Sequence, residues 1–277
     1  MPTAVVTGAN SGIGWRFAEK LIEEVRFPYF LPVIAQATKN HQSFERFDAR
    51  YLTAMDFSRF REVYANALQQ GYTVYACDIS TSNKLQTLKT PHKHTLDVTS
   101  PISIQKFSQE FGSQPLNLLL NIAGVMSPKE EDSLEKTSLE VLEKTFAVNT
   151  FGPLLLTQSL LPNLLQAKSP RIGNMSSRMG SIADNSSGGA YAYRASKGAL
   201  NSISKSMAVD LKEKGVVVVI LHPGIVKTGI DKTGAIWKAE GAVEPELAVS
   251  KLWEVLMSKG LEDSGRFWHR DGFELEW

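Results

Sequence analysis

Tyr193 and Lys197 stand four residues apart in a stretch of helical period, Tyr191 to Lys214, so their side chains stack on one helix face. A phenol with a pKa of about 10 is a poor base near neutrality, but a neighbouring ammonium favours the phenolate and lowers that value. Such a pair can take a proton from an alcohol oxygen or return one to a carbonyl oxygen. Of the seven tyrosines only Tyr193 has a lysine at the fourth following position; Tyr191 has Ala195 there. Exposed helices also carry tyrosine and lysine at this spacing, so neighbouring groups must decide. Ser176 and Ser177 close the apolar run that starts at Arg171, and a hydroxyl at that place can donate to the same substrate oxygen. In an extended chain the two serines point to opposite sides.

These groups need a frame that brings strand ends and a helix together. Short apolar runs read as strands at Thr3 to Thr7, Tyr72 to Cys77, Lys93 to Leu96, Leu116 to Asn121, Arg171 to Ser176, Val216 to Leu221 and Gly265 to Trp268. Helical segments lie between them at Gly12 to Glu24, Pro101 to Phe111, Leu139 to Gln166, Tyr191 to Lys214 and Glu246 to Met257. The alternation predicts an α/β fold, a Rossmann-type doubly wound sheet of about seven parallel strands. Continuous hydrophobicity, clearest in Val216 to Leu221, fits strands buried on both faces. Ligands are then expected outside the carboxyl ends of the strands.

The string Thr7 to Gly14, TGANSGIG, follows the first strand and opens a helix, the setting in which a glycine-rich turn receives a pyrophosphate. Gly8 permits the tight turn, Gly12 lets backbone approach phosphates, and Gly14 lets helix pack closely on strand. With Asn10, Ser11 and Ile13 these form the expected cofactor turn. The string resembles the TGxxxGxG signature of the short-chain dehydrogenase/reductase family, whose spacing differs from GxGxxG.

One stretch breaks the rhythm. Residues 25–70 separate the first helix from the second strand and hold nine of the 25 aromatic residues. Trp15 to Glu24 and Arg61 to Gln70 could each serve as the first helix; contiguity with Gly14 favours the former, and Pro28 and Pro32 break the chain soon after. The 46-residue insertion is then expected at the bottom of the sheet, opposite the site, as a tolerated excursion, a gene-model artefact, or an oligomer or partner contact made by its aromatics. Asp78 ends the second strand 64 residues after Gly14, or 18 with the insertion set aside, close to the usual place for the acidic residue that holds the adenosine ribose. A carboxylate there accepts from ribose hydroxyls and repels a 2′-phosphate, and Ile79 and the neutral Ser11 offer no base. NAD(H) is therefore favoured, with NADP(H) left open.

Further segments carry the resemblance. Asp97-Val98 closes the third strand, and the family implies that Asp97 meets the adenine amino group. Asn121-Ile122-Ala123-Gly124 looks like the NAAG motif, with small residues that let the cofactor pass. Pro223-Gly224-Ile225-Val226-Lys227-Thr228 is similar to PGxVxT, in which backbone and Thr228 hold the nicotinamide carboxamide. The resemblance selects Ser177 over Ser176 and matches Asn149 to a helix asparagine that interrupts the helix and holds a water linked to the lysine. It covers residues 1–24 and 71–277, one domain spanning 1–277 with the insertion inside it. GSIADNSSGGAYAYRASKGALN and FWHRDGFELEW place it nearest the branch of C-factor and sniffer-type carbonyl reductases. The implied activity is hydride transfer between NAD(P) and a small or medium alcohol or carbonyl compound. The rival reading is a cofactor-binding regulatory or signalling protein with little turnover.

Other signals bound the function. A net charge of +1, without blocks of like charge, argues against nucleic acid and anionic membranes as partners. Val216 to Leu221 and the other apolar runs are strand-sized, and the start of the chain lacks a secretory pattern, so a cytoplasmic protein is expected. Cys77 is the single cysteine and excludes an intrachain disulfide. His92-Lys93-His94 reads as a strand entry and no metal is expected. Glu130-Glu131-Asp132 reads as a solvated loop face near the substrate opening, and Ile225 to Ala242, with Ile236 and Trp237, as a lid. Homo-oligomerisation is left open.

Overall fold

In the computed structural model, which describes residues 1–23, 71–81, 83–230 and 234–277, seven parallel strands form one sheet in the order β3-β2-β1-β4-β5-β6-β7. The strands are β1 Thr3–Thr7, β2 Thr73–Asp78, β3 Lys93–Thr95, β4 Leu118–Asn121, β5 Arg171–Met175, β6 Val217–His222 and β7 Phe267–His269. All seven expected strands are present, with ends shifted by one or two residues. The order reverses between β1 and β4, which opens a crevice at their carboxyl ends.

The helices are α1 Gly12–Glu23, α2 Asn83–Gln86, α3 Pro101–Phe111, α4 Leu139–Phe146, α5 Gly152–Gln166, α6 Tyr191–Leu211 and α7 Pro245–Ser258. They cover both faces of the sheet, so successive strand residues enter different cores. Val6 and Leu120 join Phe17, Leu21 and Leu252 on one side. Val5 and Leu119 join Phe107, Leu156 and Leu160 on the other. Each such fully buried side chain contributes roughly 1.5–3 kcal/mol of transfer free energy. Every residue of β1 and of β6 is buried, as their unbroken apolar runs require.

The helix expected over Leu139 to Gln166 is not continuous. A π-helical turn at Ala147–Phe151 separates α4 from α5, with Asn149 at its centre. Such turns cluster at functional sites.

The expected insertion, 25–70, and its aromatic residues lie outside the described residues, as does Glu24 at the end of the expected first helix. Its flanks are ordered: Tyr72 N–H donates to Leu21 O at 3.0 Å, and Thr73 N–H donates to Pro2 O at 2.9 Å. The chain thus leaves α1 and returns to β2 at one place, at the amino-terminal edge of the sheet. In β2, Cys77 is wholly buried, and its carbonyl accepts the Ala9 N–H of the glycine turn at 3.1 Å.

Candidate active site and cofactor cleft

The carboxyl ends of the strands surround a cleft of about 820 Å3. Its wall at the switch point is built by the turn after β1. Thr7 Oγ accepts Ile122 and Ala123 N–H at 2.9 and 3.1 Å, which ties the ends of β1 and β4 together. Gly8 has φ +68°, and a Cβ there would stand 3.0 Å from Ala123 N. A Cβ on Gly14 would overlap the Gly8 carbonyl, so helix α1 sits as close as it does only because that position lacks a side chain. The amino terminus of α1 opens onto the cleft, the arrangement that receives phosphate.

Of the expected cofactor residues, Gly8, Ser11, Gly12, Ile13, Gly14, Asp78, Asp97, Val98, Ala123, Gly124, Pro223, Gly224, Val226 and Thr228 line the cleft. Asn10 instead braces its floor. Its N–H donates to Asp78 Oδ2 at 3.1 Å, its Nδ2 to Ser80 Oγ at 3.2 Å, and its Oδ1 accepts Leu85 N–H at 3.1 Å. Asn121 lies beneath, buried, bonding Asn174 Oδ1 at 2.8 Å. Asp97 spends one oxygen, Oδ1, on the Thr99 N–H and hydroxyl at 2.9 and 2.6 Å.

Tyr193, Lys197 and Ser177 meet at the cleft's inner wall. Tyr193 is buried beside Ser177; burial pushes the phenol up to about 12, with the Ser177 hydroxyl pulling the other way. Burial likewise lowers Lys197 to about 8. Its Nζ donates to Met175 O at 2.8 Å and lies 5.9 Å from the Tyr193 ring centre. The expected lowering of the phenol is therefore outweighed by loss of solvent in the protein alone. Ser176 turns away to bond Asn201 Oδ1 at 2.5 Å, so the adjacent hydroxyls diverge as extended geometry requires.

Asn149 is fully buried and does not line the cleft. Its amide exchanges two bonds with the backbone of Val125, at 2.8 and 2.9 Å, and donates to Ser196 Oγ at 3.0 Å. A Cβ on Gly124 would stand 3.3 Å from Asn149 Oδ1 and 3.6 Å from Lys197 Nζ, which measures how tightly these groups converge.

The family model described as short chain dehydrogenase matches residues 61–239. The chain belongs to the short-chain dehydrogenase family. The match leaves out the glycine turn at 7–14, which the fold itself brings to the cleft. The chain is 37% identical over 174 residues to the C-signal of Myxococcus xanthus, covering 63% of this chain and 100% of that protein. It is 35% identical over 184 residues to 1-hydroxy-2-glutathionyl-2-methyl-3-butene dehydrogenase of Rhodococcus sp. (strain AD45), covering 66% and 78%. The structure of NADPH-bound carbonyl reductase from chicken fatty liver superposes with a TM-score of 0.76 at 28% identity over 100% of this chain and 99% of that one. The carbonyl reductase Sniffer of D. melanogaster shares the fold, with a TM-score of 0.70 at 24% identity over the whole of both chains.

Several groups of the candidate site carry no signal in the sequence. Asp132, taken there for part of a solvated face, is 1% exposed and accepts Ala192 and Tyr193 N–H at 2.8 and 3.1 Å. Nothing near it in the sequence signals partners 60 residues away. His222, His269 and Arg270 also line the cleft. Arg270 holds the segment after β6 through the carbonyls of Pro223, Ile225 and Gly241, at 2.7, 3.2 and 3.3 Å. Burial pushes the His222 imidazole down to about 3, so it is neutral. Of the expected lid, Ile225, Ile230, Glu240 and Gly241 face the cleft, and Trp237 Nε1 donates to Thr228 O at 2.9 Å. His92 stacks on Tyr75 at 4.2 Å and His94 pairs with Glu110 at 3.1 Å, consistent with a strand entry. Among the described residues no helix is long and apolar enough to cross a membrane.

Proposed function

We propose that the protein transfers hydride between a nicotinamide cofactor and a small alcohol or carbonyl compound, with Tyr193 as acid and base, Ser177 as anchor of the reacting oxygen, and Lys197 and Asn149 supporting them. The observation that carries this reading is the convergence of Tyr193, Ser177 and Lys197 at the wall of the cleft, with Lys197 Nζ 5.9 Å from the Tyr193 ring centre. The cleft fits a dinucleotide: its glycines leave no room for side chains where Gly8 and Gly12 face Ala123 and Thr228, and the amino terminus of α1 opens beside them. The nicotinamide, when bound, supplies or accepts the hydride.

In reduction, the carbonyl oxygen takes the place between the Tyr193 and Ser177 hydroxyls, and the Tyr193 proton passes to it as the carbon gains hydride. Oxidation reverses both transfers. At neutral pH the phenol and the ammonium both carry their protons, the state from which carbonyl reduction starts. The side chain of Asn149 is committed to Val125 and Ser196, so in this reading it supports the wall behind Lys197 rather than touching substrate.

Asp78 favours NAD(H): one carboxylate oxygen accepts the Asn10 N–H, which aims the group along the cleft wall, and its charge opposes a 2′-phosphate. The NADPH-bound relative is a reason to test both cofactors. We read 1–277 as one domain of a cytoplasmic enzyme. The complete set of Tyr193, Lys197, Ser177 and Asn149 weighs against a signalling protein without turnover. A panel of carbonyl compounds with NADH and NADPH tests the reading. Tyr193→Phe should lose at least about 100-fold in kcat while binding cofactor as the wild type does. Equal binding by both proteins with no turnover of any compound would falsify it.

A further inference from the structure

Helix α6 carries Tyr193 in its first turn, where amide groups have no partner within the helix. A serine, threonine or aspartate just before the helix ordinarily supplies one. Here that position is Ala190, which has no side-chain acceptor and sits in the left-handed region with φ 50°, following Gly188 and Gly189 at φ 61° and 64°. The missing acceptor comes from far away in sequence. Asp132 Oδ1 accepts the Ala192 N–H and Oδ2 accepts the Tyr193 N–H, at 2.8 and 3.1 Å, while its carbonyl accepts the Ala190 N–H at 3.1 Å. The Thr137 hydroxyl, whose proton lies between Ser133 O at 2.6 Å and Asp132 Oδ1 at 3.2 Å, packs beside the carboxylate.

We propose that Asp132 is a positioning residue: by capping α6 from the loop after β4, it fixes where the Tyr193 hydroxyl stands in the cleft. The proposal rests on Tyr193 as the acid and base of the site. Tyr193 is gripped at both ends of its own residue. Its N–H is held by Asp132, and its carbonyl accepts the Ser196 hydroxyl at 2.8 Å, which in turn accepts from Asn149 Nδ2 at 3.0 Å. The loop that bears Asp132 begins with the cleft-lining Ala123 to Met126, so substrate wall and proton donor share one anchor. A carboxylate at a helix amino terminus is also favoured by the helix dipole. Displacement of a reacting group by about 1 Å costs on the order of 100-fold in rate, so a loosened first turn should lower turnover without weakening binding.

The test compares wild type, Asp132→Asn and Asp132→Ala in steady-state kinetics and in backbone amide hydrogen exchange followed by NMR at Ala192 and Tyr193. Asp132→Ala should lower kcat by about 10- to 100-fold with KM and cofactor Kd changed less than about twofold. Asp132→Asn, which keeps one acceptor, should recover part of that loss. Both amides should be protected in wild type, and both should lose protection in Asp132→Ala. A kcat within twofold of wild type for folded Asp132→Ala, or unchanged amide protection, overturns the proposal. Should Asp132→Ala not fold, Asp132→Asn decides: an unchanged kcat with unchanged protection rejects the role, and a lowered kcat at unchanged KM supports it. If the wild type turns over nothing, the enzyme reading fails by itself, and the exchange data still show whether Asp132 holds the turn.

Discussion

With Tyr193 held near 12 and Lys197 near 8, the first group to change state as pH rises is the lysine. The rate of carbonyl reduction should therefore be flat through neutrality and fall above about pH 8, when Lys197 loses its charge while the phenol keeps its proton. The pH dependence of kcat/KM for the cofactor, which reports the free enzyme, checks this; a profile flat to pH 10 contradicts it. The stability signs are separate. Lys197 binds its proton less tightly folded than unfolded, so its contribution to stability rises with pH from about 8 to the ordinary lysine range; Tyr193 acts oppositely between the ordinary tyrosine value and about 12. Much of this site was legible because spacing is local: four residues on a helix join Tyr193 to Lys197, and pleat alternation separates Ser177 from Ser176. Asp132 and Arg270 were not legible. Each acts on groups 29 to 61 residues distant, and only the fold decides which charged side chains of a polar loop turn inward.

At the scale of elements, the reasons read for Gly8 and Gly14 in the turn after β1 have physical counterparts in a positive φ and a close helix contact. Gly14 is the sharpest, because a methyl group there would press on backbone, which cannot rotate aside. Gly14→Ala should cost about 1–3 kcal/mol of stability and weaken cofactor binding together, since α1 must move off β1 to accommodate it. Chemical denaturation and a fluorescence titration with NADH measure the two effects, and an unchanged midpoint with unchanged binding would show that α1 is not so tightly seated. The helix after β4 shows where pattern reading stops. Apolar periodicity continues through Leu139 to Gln166, but the π-helical turn at Ala147–Phe151 adds a residue to one turn, and periodicity is too coarse to register it. That the helix is interrupted at Asn149 was legible only through the resemblance.

For the molecule as a whole, the doubly wound parallel sheet and a cleft at the carboxyl ends of its strands followed from alternation of elements; the strand order, with its switch point between β1 and β4, came from the structure. The long connection before β2 did not disturb them, because the chain leaves α1 and enters β2 side by side, as the Leu21 to Tyr72 hydrogen bond shows. Joining Glu24 directly to Gly71 should thus leave a soluble protein that binds cofactor within about threefold of the full chain, loop closure being cheap when ends already meet. Insoluble protein after that deletion would show that residues 25–70 support the fold. Cys77 lies on the same strand, at its opposite end. Its thiol is sealed in the core with its acidity suppressed by burial, and its carbonyl holds the first amide beyond Gly8. As the chain's lone cysteine it is a built-in reporter: the speed at which a thiol reagent finds it counts how often the core that packs β2 against Phe107 and Leu156 opens, with no second thiol to subtract.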